Sequence, residues 1–249
     1  MHLDDLGEAV PLAGIPQRVV SLVPSLTESL AATVPHALVG ATAWCTHPED
    51  LDVPRVRGTK NPDLAAIAAL RPDLVVANQE ENRELDVRRL RERGIPVWVT
   101  VTESVDQALG ALDRLFGEVF GQRPDWLAQA RAAWEPAARP RGTVAVPIWR
   151  DPWMVVGRAT FTGDLLLHLG WHNVFGDAEE RYPHTTVAEI ETRRPDLVVL
   201  PDEPYEFTAD DGPEAFGIPT RLVSGRLLTW YGPSLVTARE HLSEVFAAR

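Results

Sequence analysis

The sequence predicts an α/β protein of two similar lobes, each with a mostly parallel sheet flanked by helices, joined by a helical backbone. Three observations lead to this prediction. An internal repeat indicates two related lobes. Continuous apolar runs inside each copy are typical of parallel strands that are covered on both faces. A stretch with helical periodicity lies between the two copies.

The repeat spans a helix, a turn and a strand. Residues 64–76 read LAAIAALRPDLVV, and residues 187–199, 123 positions later, read VAEIETRRPDLVV. The same offset relates the Gly-Ile-Pro of residues 94–96 to that of residues 217–219. Helices and strands alternate around both copies, which is the βαβ pattern. Two such lobes are expected to hold a small ligand in a cleft between the carboxyl ends of their strands.

The predicted domains are an N-terminal α/β lobe over 1–103, a helical connector over 104–140 and a C-terminal α/β lobe over 141–249. Within the connector, residues 104–120 and 124–137 carry helical periodicity, with Ser104 and the Pro-Asp at 124–125 as start signals. A helical connector makes a stiff hinge, so closure of the cleft is expected to be a small rocking motion.

Composition excludes several classes of function. The formal charge is -12 with no basic cluster, which argues against a nucleic-acid partner. No run approaches eighteen apolar residues, so no membrane insertion is expected. The chain begins MHLDDLGE without the basic and apolar stretches of an export signal, and its single cysteine, Cys45, fits a reducing compartment. These features predict a cytoplasmic protein.

The motifs resemble one family. Residues 18–28 (RVVSLVPSLTE), the helix followed by RPDLVV at 71–76, and the Gly-Ile-Pro at 94–96 look like the first lobe of the helical-backbone, TroA-like (class III) solute-binding proteins. Within that family the chain is most similar to cobalamin and iron-siderophore binding proteins. The resemblance implies the two-lobed fold and the binding of a small molecule.

The resemblance also implies a departure. Exported members of the family present a Glu at the start of the helix before each Pro-Asp-strand element, where it docks on a transporter. The matching positions here are Ala65 and Ala188, with Glu189 one residue away in the second lobe. The sequence therefore predicts a non-exported member that lacks transporter docking, and a conventional ABC-importer receptor is the alternative.

Candidate ligand-binding residues follow the predicted strands, because ligands of open parallel sheets sit beyond the strands' carboxyl ends. Rigid aromatic walls with a few polar groups suit a small-molecule site. In the first lobe the candidates are Trp44, His47, Lys60, Asn61, Asn78, Glu80 and Glu81. In the second half of the chain they are Trp149, Arg150, Trp153, Glu203, Tyr205, Arg226, Trp230 and Tyr231.

Residue counts support the polar candidates. Lys60 is the only lysine among 24 basic residues, which suggests that an ammonium is needed there, although a solvated turn is the alternative. Three of the four asparagines fall in first-lobe loops, where they either contact ligand or bond the local backbone; Asn82 is the third. Glu80 or Glu81 either begins a helix or faces the ligand. Glu203 follows a buried strand, where a helix start is not expected.

The metal-binding signal is weak. Cys45 and His47 form a Cys-x-His pair that could contribute two ligands to zinc or iron, but a structural zinc site needs four. The identity of any metal is left open. Trp98 is assigned to a strand in the core, and Trp126 and Trp134 to packing of the connector, because their spacing keeps them on one helical face.

The functional prediction is a binding protein for a corrinoid or another metal chelate or cofactor-like molecule, with haem or an iron chelate as the second possibility. A small anionic metabolite remains open, because many ionisable groups follow the strands. An enzyme recruited from this scaffold, using Lys60 with Glu81 or Glu203, is the alternative class, although no catalytic motif supports it. An interaction protein that has lost its ligand is a third class.

Overall fold

The computed structural model describes residues 2–135 and 138–247. Contacts divide the chain into two compact units. Unit 1 comprises residues 1–102, 107–128 and 231–233, and unit 2 comprises residues 103–106, 129–230 and 234–249. The predicted domain limits at 103 and 140 stay a prediction; residues 136 and 137 of that connector, and residues 1, 248 and 249 of the two lobes, lie outside the described residues.

Unit 1 is built on a four-stranded parallel sheet with the order β4-β3-β7-β8. Its strands are β1 His2–Leu3, β2 Ala9–Val10, β3 Val19–Ser21, β4 Leu38–Ala41, β5 Arg57–Gly58, β6 Asn61–Pro62, β7 Leu74–Asn78 and β8 Val97–Thr100. Its helices are α1 Pro24–Thr33, α2 Leu64–Ala69, α3 Glu84–Glu92 and most of α4 Val105–Arg114. The short strands β1 and β2 pair with each other, as do β5 and β6.

Unit 2 repeats the plan with a parallel sheet in the order β12-β9-β13-β14. Helix α5, Asp125–Trp134, leads into it. The strands are β9 Gly142–Ala145, β10 Pro147–Trp149, β11 Met154–Val155, β12 Trp171–Asn173, β13 Leu197–Pro201 and β14 Thr220–Val223. The helices are α6 Phe161–His168, α7 Val187–Thr192, α8 Gly225–Thr229 and α9 Leu235–Ala247.

The repeat seen in the sequence recurs in backbone geometry. Helices α2 and α7 both begin with a side-chain cap, from Asp63 to the N–H of residues 65 and 66 and from Thr186 to the N–H of residue 189. Each helix is followed, two residues after its end, by an arginine with positive φ, 48° at Arg71 and 51° at Arg194. Two non-glycine residues in this unusual conformation at matching positions confirm that the units are related copies.

The aspartate of each Arg-Pro-Asp turn joins the repeat to the neighbouring strand. Asp73 accepts hydrogen bonds from the backbone N–H of Gln17 and Arg18, just before β3. Asp196 accepts from the N–H and the hydroxyl of Thr143 in β9. These bonds lie at the amino end of each sheet. The loops that carry the candidate site residues lie at the opposite, carboxyl end.

The cores are the apolar runs that predicted the strands. In unit 1, Val20, Val75 and Val97 are buried between the flanking helices. In unit 2, Val198 and Leu200 are buried with Phe175. The unit 1 residues lie on three neighbouring strands, and Val198 and Leu200 lie on the interior strand β13 of unit 2, so each unit has its own apolar core.

The tryptophans assigned to packing are buried or partly buried. Trp98 of β8 is fully buried, as is Trp134 of α5, whose indole donates to the Leu235 carbonyl at 2.8 Å. Trp126 is half-buried and donates to the Thr33 hydroxyl at 3.0 Å. Within the described residues, no helix has the length and apolar character needed to cross a membrane.

Two predicted segments are shorter than expected. The α-helix predicted over 104–120 is shorter in the structure, where α4 ends at Arg114. A π-helical turn follows it over Leu115–Val119. The apolar run TVAVPIW over 143–149 predicts a single strand, but β9 ends at Ala145, and β10 pairs antiparallel with β11 instead of continuing the central sheet. Pro147 lies at that break, and because proline has no N–H it cannot donate to a strand ladder.

Candidate functional site

Asn78 ends β7 and organises the carboxyl end of the unit 1 sheet. It is buried, and its side-chain amide donates to the hydroxyls of Thr100 and Thr102 at 3.2 and 3.0 Å. Its oxygen accepts from the backbone N–H of Glu80 and Glu81. All of its bonds therefore stay inside the protein, which supports the turn-forming role over direct ligand contact.

Asn82 ties three loops together at the same edge. Its oxygen accepts from the Asn78 N–H at 2.9 Å, and its amide donates to the carbonyls of Leu22 and Thr59. The loop after β7 is thereby fixed to the end of β3 and to the β5–β6 hairpin. A site on these loops is preformed rather than assembled by the ligand.

Lys60 lies at the tip of the β5–β6 hairpin and is exposed. Its ammonium donates to the backbone carbonyl of Glu80 at 2.5 Å. The lysine thus joins two loops that were both predicted to face the ligand. Asn61, in the same hairpin, is also exposed, with its side-chain oxygen folded toward Gly58.

Glu81 and Tyr231 meet in unit 1 although they are 150 positions apart. The Tyr231 hydroxyl donates to a Glu81 carboxylate oxygen at 3.1 Å, and it also hydrogen-bonds Thr102. Tyr231 is only 4% exposed, and burial together with the Glu81 charge raises its pKa well above the ordinary value. The pair is therefore a neutral phenol that donates to a carboxylate.

Cys45 lies inside unit 1. Its sulfur is fully buried and contacts the hydroxyls of Thr27 and Thr42 at 3.0 and 3.1 Å. Burial raises the pKa of this thiol, which disfavours the thiolate that binds metals. Among the described residues there is no group of three His, Cys, Asp or Glu side chains that could hold a metal ion.

The loop after β4 also carries Trp44 and His47. Trp44 is 67% exposed, the largest exposed fraction among the large apolar side chains that the structure describes, and its indole nitrogen lies beside Gly58 of the hairpin. His47 is half-buried, with Nδ1 at 3.1 Å from the Thr46 hydroxyl. An exposed indole on an anchored loop is a rigid apolar surface for a ligand.

Arg150 is the centre of the corresponding region in unit 2. Its guanidinium makes short ion pairs with Asp211 and Glu214, the latter at 2.6 Å, and lies 5.4 Å from the Trp153 ring centroid. The hydrogen bond that Arg150 donates to Glu214 is the main reason that the pKa of Arg150 is raised. Two carboxylates of the same unit therefore compensate its charge.

Aromatic rings surround this ion cluster. The exposed Trp149 packs edge-on against Tyr205 with centroids 5.7 Å apart, and the Tyr205 hydroxyl donates to Asp211 at 2.6 Å. Trp153 stacks on Phe207 and meets Phe216 edge-on. Trp149, Trp153 and Tyr205 thus belong to one aromatic and ionic cluster in unit 2.

Glu203, Trp230 and Arg226 form a second group in unit 2. Burial raises the pKa of Glu203, and the nearby Asp202 charge adds to that shift, while a hydrogen bond with Trp230 and the charge of Arg226 lower it. Trp230 is buried. Gly225 makes this arrangement possible, because a Cβ at that position would collide with Cγ of Glu203.

Replacing Glu203 by glutamine is expected to stabilise the protein increasingly as pH rises. In the unfolded chain Glu203 titrates near its ordinary value of 4.5, whereas the folded state holds the proton more tightly. In the wild-type protein, the contribution of Glu203 to the free energy of unfolding is fully present below pH 4.5. It is lost as the pH rises through the raised pKa that Glu203 has in the folded state. The neutral amide cannot lose a proton, so Glu203→Gln escapes this loss.

Urea unfolding at pH 4 and pH 7.5 tests this expectation, with Glu206→Gln as the control because Glu206 is exposed nearby. The gain in unfolding free energy of Glu203→Gln over wild type should be larger at pH 7.5 than at pH 4. A difference that is the same at both pH values contradicts the buried-carboxyl assignment.

Sequence reasoning did not find several residues of these groups. They are Thr102, Asp211, Glu214, Phe207 and Phe216. The two acidic residues lie in the loop 209–214, which reads ADDGPE and looks like an ordinary solvated loop. Arg150 itself was a signal, because an arginine that becomes half-buried requires carboxylate partners. Nothing in the sequence identifies which acidic residues these partners are.

The chain is similar in sequence and in structure to known binding proteins. No protein-family model matches the chain. The chain is 23% identical over 249 residues to a vitamin B12-binding protein of Pectobacterium carotovorum, covering 94% of this chain and 90% of that protein. It is 25% identical over 251 residues to a vitamin B12-binding protein of Yersinia pestis, covering 93% and 87%.

Solved structures of binding proteins are similar to this chain over most of its length. The periplasmic vitamin B12 binding protein of Vibrio cholerae superposes with a TM-score of 0.75 at 18% identity, over 93% of this chain and 96% of that chain. A periplasmic heme-binding protein from Pseudomonas aeruginosa gives 0.76 at 23% identity, over 94% of both. The chain has the fold of the helical-backbone, TroA-like solute-binding proteins. The resemblance and the fold class predicted from the sequence are confirmed, and a solute-binding function is supported.

Proposed function

We propose that the protein binds a bulky, flat and largely neutral ligand, with a corrinoid as the first choice, on strand-end loops that expose tryptophan. One observation carries the proposal. The charged side chains predicted to meet the ligand are paired with groups of their own unit, while two tryptophan faces remain exposed.

The charged side chains are engaged within both units, by ion pairs in unit 2 and by hydrogen bonds in unit 1. In unit 2, Arg150 is paired with Asp211 and Glu214. In unit 1, the ammonium of Lys60 is bound by a backbone carbonyl, and Glu81 accepts from Tyr231. A small anionic metabolite would have to displace two carboxylates to reach Arg150, so the many ionisable residues of these loops do not favour such a ligand.

The exposed surface suits a ligand with apolar faces. Trp44 of unit 1 is 67% exposed and Trp149 of unit 2 is 43% exposed. Indole rings cover flat apolar groups at little entropic cost, because only two torsions are fixed. The sequence relatives are vitamin B12-binding proteins, which supports a corrinoid over other flat molecules.

Haem is the second candidate, because some structural relatives are heme-binding proteins. A haem iron takes an axial ligand from protein, usually His, Tyr, Cys or Met. Tyr231 and Cys45 are buried and fit this role poorly, and the half-buried His47 would be the residue to provide it. A corrinoid makes no such demand when its cobalt carries its own axial groups.

The proposal includes the absence of transporter docking. Ala65 and Ala188 are exposed and occupy the second position of α2 and α7, so neither helix offers a carboxylate there. The adjacent Glu189 accepts from the Thr185 hydroxyl and lies 3.7 Å from Arg193. A cytoplasmic location stays a prediction, and the structural relatives named above are periplasmic proteins.

The test is to purify the protein without any ligand-based step, incubate it with a mixture of cyanocobalamin and haemin, remove free ligand and record the visible spectrum. Mass spectrometry of the extracted ligand identifies what is bound. We expect a red protein that releases cobalamin. A Soret band with extracted haem would favour the second candidate, and a colourless protein that releases neither would contradict the proposal.

A further inference from the structure

Unit 2 contains a cavity that includes none of the predicted site residues. Its volume is about 540 Å³, and it lies where α6 begins and β12 ends. Its walls include the backbone of Gly157, Gly163 and Gly176. This volume falls in the range of about 300–1,000 Å³ that small-molecule sites occupy.

Five ionisable residues line this cavity: Glu103, Arg158, Asp164, His172 and Asp177. Each of the three carboxylates has a partner within unit 2. Glu103 forms a short ion pair with Arg181, Asp164 accepts from the Val105 N–H at 2.8 Å, and Asp177 lies 3.2 Å from Arg193. Two of these carboxylates are therefore ion-paired with arginine, and the third, Asp164, is held by a backbone hydrogen bond.

The two basic residues of the cavity differ from the carboxylates. Arg158 and His172 are exposed, and the structure records no hydrogen bond or ion pair for either side chain among residues 2–135 and 138–247. The N-terminal end of α6, capped by Thr160, also opens at this cavity, and a helix N-terminus favours negative charge. The Arg158 guanidinium and the His172 imidazole are therefore the side-chain donors that this cavity can offer to a ligand.

We propose that this cavity is a second binding site, for a small molecule that carries a carboxylate or phosphate group. The guanidinium of Arg158 binds the oxyanion in a bidentate manner, and the His172 imidazole donates a further hydrogen bond. The cavity volume of about 540 Å³ leaves room for the rest of the molecule. This site differs from the tryptophan-lined loops of the proposed function in both location and charge.

Isothermal titration of the full-length protein with inorganic phosphate and with citrate tests the proposal, with Arg158→Ala as the variant. Arg123→Ala is the matched control, because Arg123 is an exposed arginine outside the cavity. We expect wild type and the control to bind at least one of the two anions at millimolar or lower concentration, and Arg158→Ala to bind it at least 10-fold more weakly. Binding of citrate but not phosphate identifies a carboxylate site, and the reverse identifies a phosphate site.

Arg158→Gln guards against a folding artefact, because it keeps a polar side chain of intermediate length while it removes the guanidinium and its charge; it should weaken binding to the same extent. Equal affinity in wild type and both Arg158 variants, or no binding of either anion to wild type, overturns the proposal. Cobalamin uptake by Arg158→Ala should match wild type, so failure of this site and failure of the proposed function are distinguishable.

Discussion

Replacement of Trp44 by alanine is expected to weaken cobalamin binding by about 10- to 100-fold. Burying an aromatic anchor in an interface is worth roughly 1–3 kcal/mol, and each 1.4 kcal/mol corresponds to about tenfold in affinity. Trp44 offers the largest exposed aromatic face among the described residues, and its loop is fixed to the β5–β6 hairpin by the bond from the Ala43 N–H to the Arg57 carbonyl. Fluorescence titration with cyanocobalamin measures the effect.

Ile15→Ala is the control for that titration. Ile15 is 60% exposed in unit 1, but it precedes β3 and so lies at the amino end of the sheet. Its replacement removes an exposed apolar side chain without touching the strand-end loops, and affinity should not change. Trp44→Phe should retain much of the affinity. If Trp44→Ala binds as tightly as wild type, Trp44 is not part of the ligand surface.

The second large effect concerns stability. Asp4→Ala is expected to lower the free energy of unfolding by about 3 kcal/mol, the scale for removing one partner of a buried ion pair. The Asp4 side chain is fully buried and bonds the Arg91 guanidinium at 2.6 Å and the Val99 N–H at 3.3 Å. Without the carboxylate, the segment before β2 loses the side-chain bonds that Asp4 makes to the edge of the unit 1 sheet.

Urea denaturation followed by circular dichroism measures this loss, and Asp50→Ala serves as the matched control, because Asp50 is exposed in a loop of the same unit. The control should stay within about 0.5 kcal/mol of wild type, as surface substitutions usually do. A change of similar size in both variants would mean that the buried ion pair does not stabilise the fold.

The fold was predictable because its signals are local. The copies at 64–76 and 187–199 encode a helix, an Arg-Pro-Asp turn and the start of a buried strand within thirteen residues, and the structure contains all three in both units. The break after β9 was not predicted, since apolar residues continue on both sides of Ala145. Proline there changes the pairing without changing the hydrophobic pattern.

The site was predictable only in its residue types. Strand-end position selected Asn78, Glu81, Arg150 and Glu203, and the structure places each of them at a strand end or in the loop that follows. Whether such a side chain faces a ligand or a neighbouring group depends on contacts between distant segments. Arg150 meets Asp211 across 61 positions, and such pairings leave no trace in a single sequence.

Cys45 illustrates the same limit. Its spacing from His47 is compatible with a metal pair, but the two threonine hydroxyls that surround the sulfur come from α1 and from the end of β4. A thiol enclosed in this way is a small buried residue. Burial, which decides between the two roles, is a property of the folded unit and not of the spacing.

The measurement that tests the central claim most directly is equilibrium dialysis of the purified protein against cyanocobalamin at low and high salt. A flat, neutral ligand held on tryptophan faces should bind one per chain at roughly micromolar or lower concentration, and its affinity should change less than about twofold between 50 and 500 mM NaCl, because no net charge pairing is involved. Absence of binding, or binding that high salt abolishes, would contradict a ligand surface whose own charges are already paired.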